Sequence, residues 1–220
     1  NGALDTGSGR GGIGYFVEQV DERYLDRHGL DRADALYKPD QRANLEPVFT
    51  DSVDGVEKKT RLFEGRTDYD DLVAAVHSIT PDDWSSASPN TAPVFPPGFT
   101  TTRTTKLFDM LNIANLVNYL SVRVIIADTD DTRKNFYWYR DTLGSGEWYV
   151  LPWDKDLSFG VVGDANPWAG HPFQGDYAHR KVNGSHQWNY IWEAAFNEPK
   201  IRDMMLRRLR TLMDTQLGTA

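Results

Sequence analysis

The chain has 220 residues, and its 24 basic and 32 acidic side chains give a net charge of −8. A chain of this length can bury a sizeable core, and because it contains 0 Cys, disulfide scaffolds, thiolate zinc sites and cysteine nucleophiles are excluded. The acidic balance argues against a nucleic-acid-binding protein, which needs a basic surface to neutralise phosphates. Since 24 of the acids are Asp and 8 are Glu, most of the negative charge is expected in turns, helix caps or cation sites.

The first half of the chain is predicted to contain short strands, helices and long polar connections. Asp21 provides an N-cap and Gly29 a stop for the first helix, and apolar residues three and four apart predict a second, amphipathic helix. In chain order we expect a strand over 15–20, a helix over 21–28, a strand over 35–38, irregular chain over 40–66, a helix over 68–79 and a loop over 84–106.

The second half is predicted to hold the core helix and a β-hairpin. In chain order we expect a buried helix over 107–126, hairpin strands over 135–140 and 147–151, irregular chain over 161–186 and a helix over 187–212 interrupted at Pro199. The apolar run within the first of these helices is too short to span a membrane, and no basic-then-apolar leader is visible at the N-terminus, which leaves the compartment open. This order of strands and helices predicts the α+β class.

Acidic clusters lie on both sides of the predicted hairpin. A hairpin returns the chain close to its starting point, so Asp130 should meet Asp154 and Asp156 near one end. Like charges that converge in a partly apolar frame repel each other unless a cation neutralises them. Carboxylate oxygens favour Mg²⁺ or Mn²⁺, and Ca²⁺ is possible in a geometry other than an EF-hand. The alternative is that these residues are ordinary turn acids at strand ends.

The spacing of these residues is that of a kinase catalytic loop. Asp130 precedes Asn135 by five residues, as in the pattern that places a substrate-orienting Asp before a metal-binding Asn. Asp156 stands three residues before Phe159-Gly160, a stretched counterpart of the metal-binding Asp-Phe-Gly motif.

Two longer segments, NYLSVRVIIADTDDTRKNFYWYRD and GEWYVLPWDKDLSFG, resemble the spore coat protein H (CotH) kinase family of atypical, secreted-kinase-like protein kinases. The earlier GYFVEQVDERYLDRHGL and LYK are similar to the family's glycine-strand-Glu segment and its Lys-bearing strand. The closing NEPKIRDMMLRRLRTLMD is similar to the family's last helix.

The resemblance implies roles for the residues that match these motifs. Asp130 would be the catalytic residue that orients or deprotonates the acceptor hydroxyl. Asn135, Asp154 and Asp156 would bind metal, and one of the two aspartates would play the Asp-Phe-Gly part.

Two further positions follow from the same resemblance. Glu18 and Lys38 would form the ion pair that grips the nucleotide phosphates, although both could equally be solvated surface charges. Lys155, between the two metal-binding acids, replaces an expected apolar residue, so it could weaken the metal site by competing for their carboxylates.

The implied fold is an atypical protein-kinase-like α+β domain over 1–220 that lacks its first N-terminal strands. Residues 1–66 would belong to the upper lobe, 67–106 to a helix and a Pro/Ser/Thr-rich loop, and 107–220 to the lower lobe. The implied activity is ATP-dependent phosphoryl transfer, with Mg²⁺ or Mn²⁺, to a Ser/Thr-rich protein outside the cell, on its surface or in a spore coat. A non-catalytic pseudokinase or binding module and a calcium-stabilised structural domain remain the alternatives.

Overall fold

A computed structural model describes ten parts of the chain: 17–39, 55–66, 68–79, 101–126, 128, 134–156, 158–159, 191, 194–195 and 198–218, with only the backbone for 101–103. The helices are α1 (Glu22–Arg27), α2 (Asp70–Ser78), α3 (Thr101–Met110), α4 (Ile113–Ile125) and α5 (Pro199–Leu212), and the strands are β1 (Ala35–Pro39), β2 (Val56–Lys58), β3 (Phe136–Arg140) and β4 (Trp148–Pro152). Short 3-10 and π-helical turns cover Leu62–Glu64 and Met213–Leu217. The α+β class is therefore confirmed.

The described strands form one antiparallel sheet in the order β2-β1-β3-β4. β1 lies against β3 with Tyr37 opposite Trp138, and β3 forms the predicted hairpin with β4, with Trp138 opposite Val150. The strands of the predicted upper lobe thus share a sheet with the hairpin of the predicted lower lobe. The division into lobes itself stays a prediction.

The two faces of this sheet are covered differently. One face packs on α2, α3, α4 and α5 through the larger core. In this core the fully buried Trp138 contacts Phe136 and Trp148 in T-shaped, edge-to-face pairs at centroid distances of 5.8 and 6.4 Å. Truncating such a buried indole to Ala typically costs about 3–5 kcal/mol. The opposite face carries Tyr137 and Tyr139 and packs on α1 in a smaller cluster.

Local signals predicted several boundaries correctly. Asp21 caps α1 by accepting hydrogen bonds from the backbone N–H groups of Arg23 and Tyr24, and Gly29 follows the helix with a φ of 71°. The last helix begins at Pro199, where a missing N–H costs nothing because the first turn has no acceptor for it.

Other expectations were wrong. Residues 17–20 are not a strand, β2 lies in chain expected to be irregular, and α3 begins inside the expected loop. The expected single helix over 107–126 is two helices, because the side chain of Asn112 accepts a hydrogen bond from the N–H of Asn115 and starts a new helix there. Within the described parts of the chain, none of the helices has the length and apolar character needed to cross a bilayer.

Candidate functional site

The open end of the β3–β4 hairpin, opposite its turn, brings Asn135 next to the segment 153–156. The C=O of Asn135 accepts a hydrogen bond of 3.1 Å from the N–H of Trp153, which extends the ladder one residue beyond the strands. Asn135 and Asp154 both have left-handed backbones, with φ of 65° and 49°. Asn and Asp tolerate this conformation better than other non-glycine residues, and such strain clusters at functional sites.

The side chains at the open end offer oxygen ligands. Asn135 is 5% exposed, whereas the carboxylates of Asp154 and Asp156 are exposed, and within the described part of the chain neither forms an ion pair. Amide and carboxylate oxygens are the donors that Mg²⁺ and Mn²⁺ prefer, so the residues fit such a cation chemically. Among the described residues alone, no group of three or more His, Cys, Asp or Glu side chains could hold a metal ion.

Asp130, the predicted catalytic residue, lies outside the described residues. Its neighbour Asp128 is described and is buried, with 1% of its surface exposed.

Lys155 does not turn towards the acids on either side of it. Its ammonium group lies 2.8 Å from Oδ2 of the buried Asp128 and 5.5 Å from the centre of the Tyr119 ring. The sequence alone did not predict this pairing, because Asp128 follows α4 and is distant from Lys155 along the chain. Spacing along the chain offers no signal for the pairing, because Asp154, with its φ of 49°, interrupts the extended chain in which side chains alternate.

Lys38 lies on the sheet face that carries Tyr137, and its ammonium group is 5.2 Å from the centre of the Trp153 ring and 5.7 Å from that of Tyr137. These are cation–π distances, and they place Lys38 beside the residue that precedes Asp154. The buried Tyr137 hydroxyl has no hydrogen-bond partner among the described residues, and burial, with Glu57 and Asp21 adding to the effect, raises its pKa to about 12.

Glu18 lies elsewhere. Its carboxylate contacts the guanidinium of Arg27 at 2.8 Å and the imidazole of His28 at 3.3 Å. Among the ion pairs of the described residues, none joins Glu18 to Lys38. The structure therefore brings Lys38, Asn135 and the Asp154–Asp156 segment towards one end of the sheet and leaves Glu18 with α1.

The family model described as CotH kinase protein matches residues 10–220. No curated protein matches the sequence. Because this match covers nearly the whole chain, the protein belongs to the CotH kinase family.

Proposed function

We propose that this protein transfers the γ-phosphoryl group of ATP to a Ser or Thr hydroxyl of a protein substrate, with one or two divalent cations. The observation that supports this most directly is the open end of the hairpin. There, two exposed carboxylates, which form no ion pair with any described residue, flank Lys155, and Lys155 is paired with Asp128. By family resemblance, the setting would be outside the cell, on its surface or in a spore coat.

The residue roles follow the motif. Asn135, Asp154 and Asp156 would hold Mg²⁺ or Mn²⁺, which would neutralise charge on the nucleotide phosphates. Lys38 reaches the same end of the sheet and would contact the phosphates, with Glu18 as its partner if the two side chains approach each other.

Asp130 would act on the acceptor. It would orient the substrate hydroxyl and take its proton as the hydroxyl oxygen forms a bond to the γ-phosphorus. The bond from that phosphorus to the oxygen bridging to the β-phosphate breaks, and ADP leaves with the electron pair. Catalysis of this kind depends on positioning and charge neutralisation.

A second candidate is a non-catalytic binding module on the same fold. The observation in its favour is the engagement of Glu18 by Arg27 and His28 in place of Lys38. Such a module would bind its partner without transferring phosphate.

Calorimetry of ATP binding with and without Mg²⁺ or Mn²⁺, together with ³²P transfer to a Ser/Thr-rich protein, separates these functions. We expect cation-dependent ATP binding, and transfer lowered by about 10²- to 10³-fold in Asp130→Ala and Asp156→Ala. Asp203→Ala, which removes an exposed carboxylate on α5, is the matched control and should transfer normally.

The enzymatic proposal fails if ATP does not bind with either cation, or if both variants retain full transfer. Binding of ATP without transfer would favour the non-catalytic module. Stabilisation by Ca²⁺ with no response to nucleotide would instead indicate a structural calcium site.

A further inference from the structure

The segment that carries the two exposed acids, residues 153–159, is attached to the end of α4 at two points. The N–H of Phe159 donates a hydrogen bond of 2.5 Å to the C=O of Ile126, just after the helix. The second attachment is the ion pair between Lys155 and Asp128. Within the segment, the Ser158 hydroxyl donates to the C=O of Lys155 at 2.8 Å and stiffens the turn between the two attachments.

The partner of Lys155 is itself held firmly. The N–H of Asp128 donates to the C=O of Arg123 at 3.1 Å, which anchors it to the last turn of α4. Asp128 is 1% exposed, and the side chain of Lys155 is 20% exposed. A pair this buried loses much of its Coulombic gain to desolvation, so it is weak evidence for stability and better explained by the geometry that it specifies.

The Lys155–Asp128 ion pair lies between two segments that carry predicted functional residues. Asp128 precedes the predicted catalytic Asp130 by two residues, and Lys155 lies between the predicted metal ligands Asp154 and Asp156. One ion pair therefore joins the two segments whose acids would have to act together.

We propose that Lys155 is a positioning residue for phosphoryl transfer, and that its ion pair with Asp128 holds the segment bearing Asp154 and Asp156 in a fixed position against the end of α4. This inference rests on the function proposed above. Residues that orient a metal's direct ligands commonly contribute roughly 10- to 100-fold to metal affinity or activity. Lys155 would act in this way on Asp154 and Asp156.

The surroundings of Lys155 allow the inference to be tested without overpacking. A cavity of about 270 Å³, whose lining includes Tyr119, Ile126 and Pro152, lies beside the Lys155 side chain. Its walls are mainly apolar, so Lys155→Met keeps the stem in similar contacts and removes only the charge. Lys155→Arg keeps the charge and can re-form the pair with Asp128.

Three readouts test the proposal on the whole chain: the Mn²⁺ dissociation constant from electron paramagnetic resonance, kcat and KM for ATP, and amide hydrogen exchange of residues 158–159. In Lys155→Met we expect Mn²⁺ binding about 10-fold weaker, a lower kcat with KM less affected, and faster exchange at Phe159. Lys155→Arg should recover most of the Mn²⁺ affinity. Lys106→Met, at an exposed lysine on α3, should match the wild type in all three.

The positioning role is overturned if Lys155→Met keeps wild-type Mn²⁺ affinity and kcat, even if it unfolds at a lower temperature, because the pair would then be merely structural. Unchanged exchange at Phe159 would overturn it as well. If the wild type binds neither Mn²⁺ nor ATP, the proposed function fails, and the positioning role with it. Wild-type transfer together with an unaffected Lys155→Met overturns only the inference drawn here.

Discussion

The two ends of the β3–β4 hairpin are both acidic, but they use their acids in different ways. At the turn end, Asp34 is fully buried and accepts hydrogen bonds from the Tyr139 hydroxyl at 2.5 Å and from the N–H of Leu143 at 3.1 Å. Asp141 accepts a hydrogen bond of 2.7 Å from the N–H of Ser145. Hydrogen bonds from the backbone and the side chain of Ser145 lower the pKa of the Asp141 carboxyl. The acids at this end complete the fold.

At the open end, Asp154 and Asp156 form no ion pair with any described residue. Both are exposed, and the cation between them, Lys155, is bound by Asp128. Asp154 also adopts a left-handed backbone, which a non-glycine residue enters at a cost. An acid that is exposed, lacks an ion-pair partner in the described structure and sits on a strained backbone is better explained by a ligand than by folding.

The largest effect should come from the turn end. Replacing Asp34 by Ala leaves the Tyr139 hydroxyl and the Leu143 N–H without their acceptor in a buried site, so the free energy of unfolding should fall by about 3 kcal/mol. Urea denaturation monitored by tryptophan fluorescence measures this change. Asp34→Asn keeps one acceptor oxygen and should lose less.

Urea denaturation of a variant at the open end tests whether its acids contribute less to stability than Asp34 does. Asp156→Ala should change the free energy of unfolding by no more than about 0.5 kcal/mol, as is usual for an exposed residue away from special features. If Asp156→Ala destabilises the metal-free protein as much as Asp34→Ala does, then the acids of the open end are also structural, and the contrast between the two ends is wrong.

Glu64, an ion-paired acid at the other edge of the sheet, should contribute to stability like the acids of the turn end. Glu64 contacts the ammonium of Lys58 at 2.8 Å, and that side chain is 1% exposed, with Asp68 a weaker partner at 3.9 Å. Glu64→Gln leaves this buried charge with one distant partner, so we expect a loss of about 2 kcal/mol. Glu57→Gln, at a side chain that is 62% exposed, is the matched control and should cost little.

The effect of Glu64 should also depend on pH. The hydrogen bonds from Arg61 and then from Lys58 lower the pKa of Glu64 from 4.5 to about 2. A carboxyl with a depressed folded-state pKa stabilises the fold fully above its unfolded pKa, and this stabilisation is lost as the pH falls through the folded value. The difference between wild type and Glu64→Gln should therefore shrink between about pH 4.5 and about pH 2 in urea titrations. A constant difference across this range would contradict the assignment.

Elements with strong local signals could be predicted from the sequence. The cap at Asp21, the turn residues between β3 and β4 and the proline at the start of α5 act on their own neighbours, so the pattern alone locates them. β2 has three residues, too few for a periodic pattern, and exists because it pairs with β1. Residues 17–20 show the converse, because an alternating pattern forms a strand only where it finds a partner strand.

For the candidate site, the sequence predicted the neighbourhood but not its electrostatics. Hairpin geometry was sufficient to place Asn135 beside the segment that holds Asp154 and Asp156. The direction of Lys155 depends on the buried carboxylate of Asp128, which comes from the end of α4 and is distant in sequence. Contacts of that kind depend on tertiary packing, so spacing along the chain does not reveal them.

The smallest effect offers the most specific test of the comparison. Because Asp154 has a φ of 49° and an exposed side chain, Gly would suit its backbone better, and Asp154→Gly should raise the free energy of unfolding by about 0.5 kcal/mol in EDTA. The same variant should lose most of the rise in melting temperature that Mn²⁺ produces in the wild type.

Asp154→Asn replaces the carboxylate by an amide and keeps a residue type that tolerates the left-handed backbone. It should therefore lose the Mn²⁺ response without gaining stability. A residue whose replacement stabilises the fold and abolishes cation binding is present for its function. Full retention of the Mn²⁺ response in Asp154→Gly would remove this carboxylate from the proposed site.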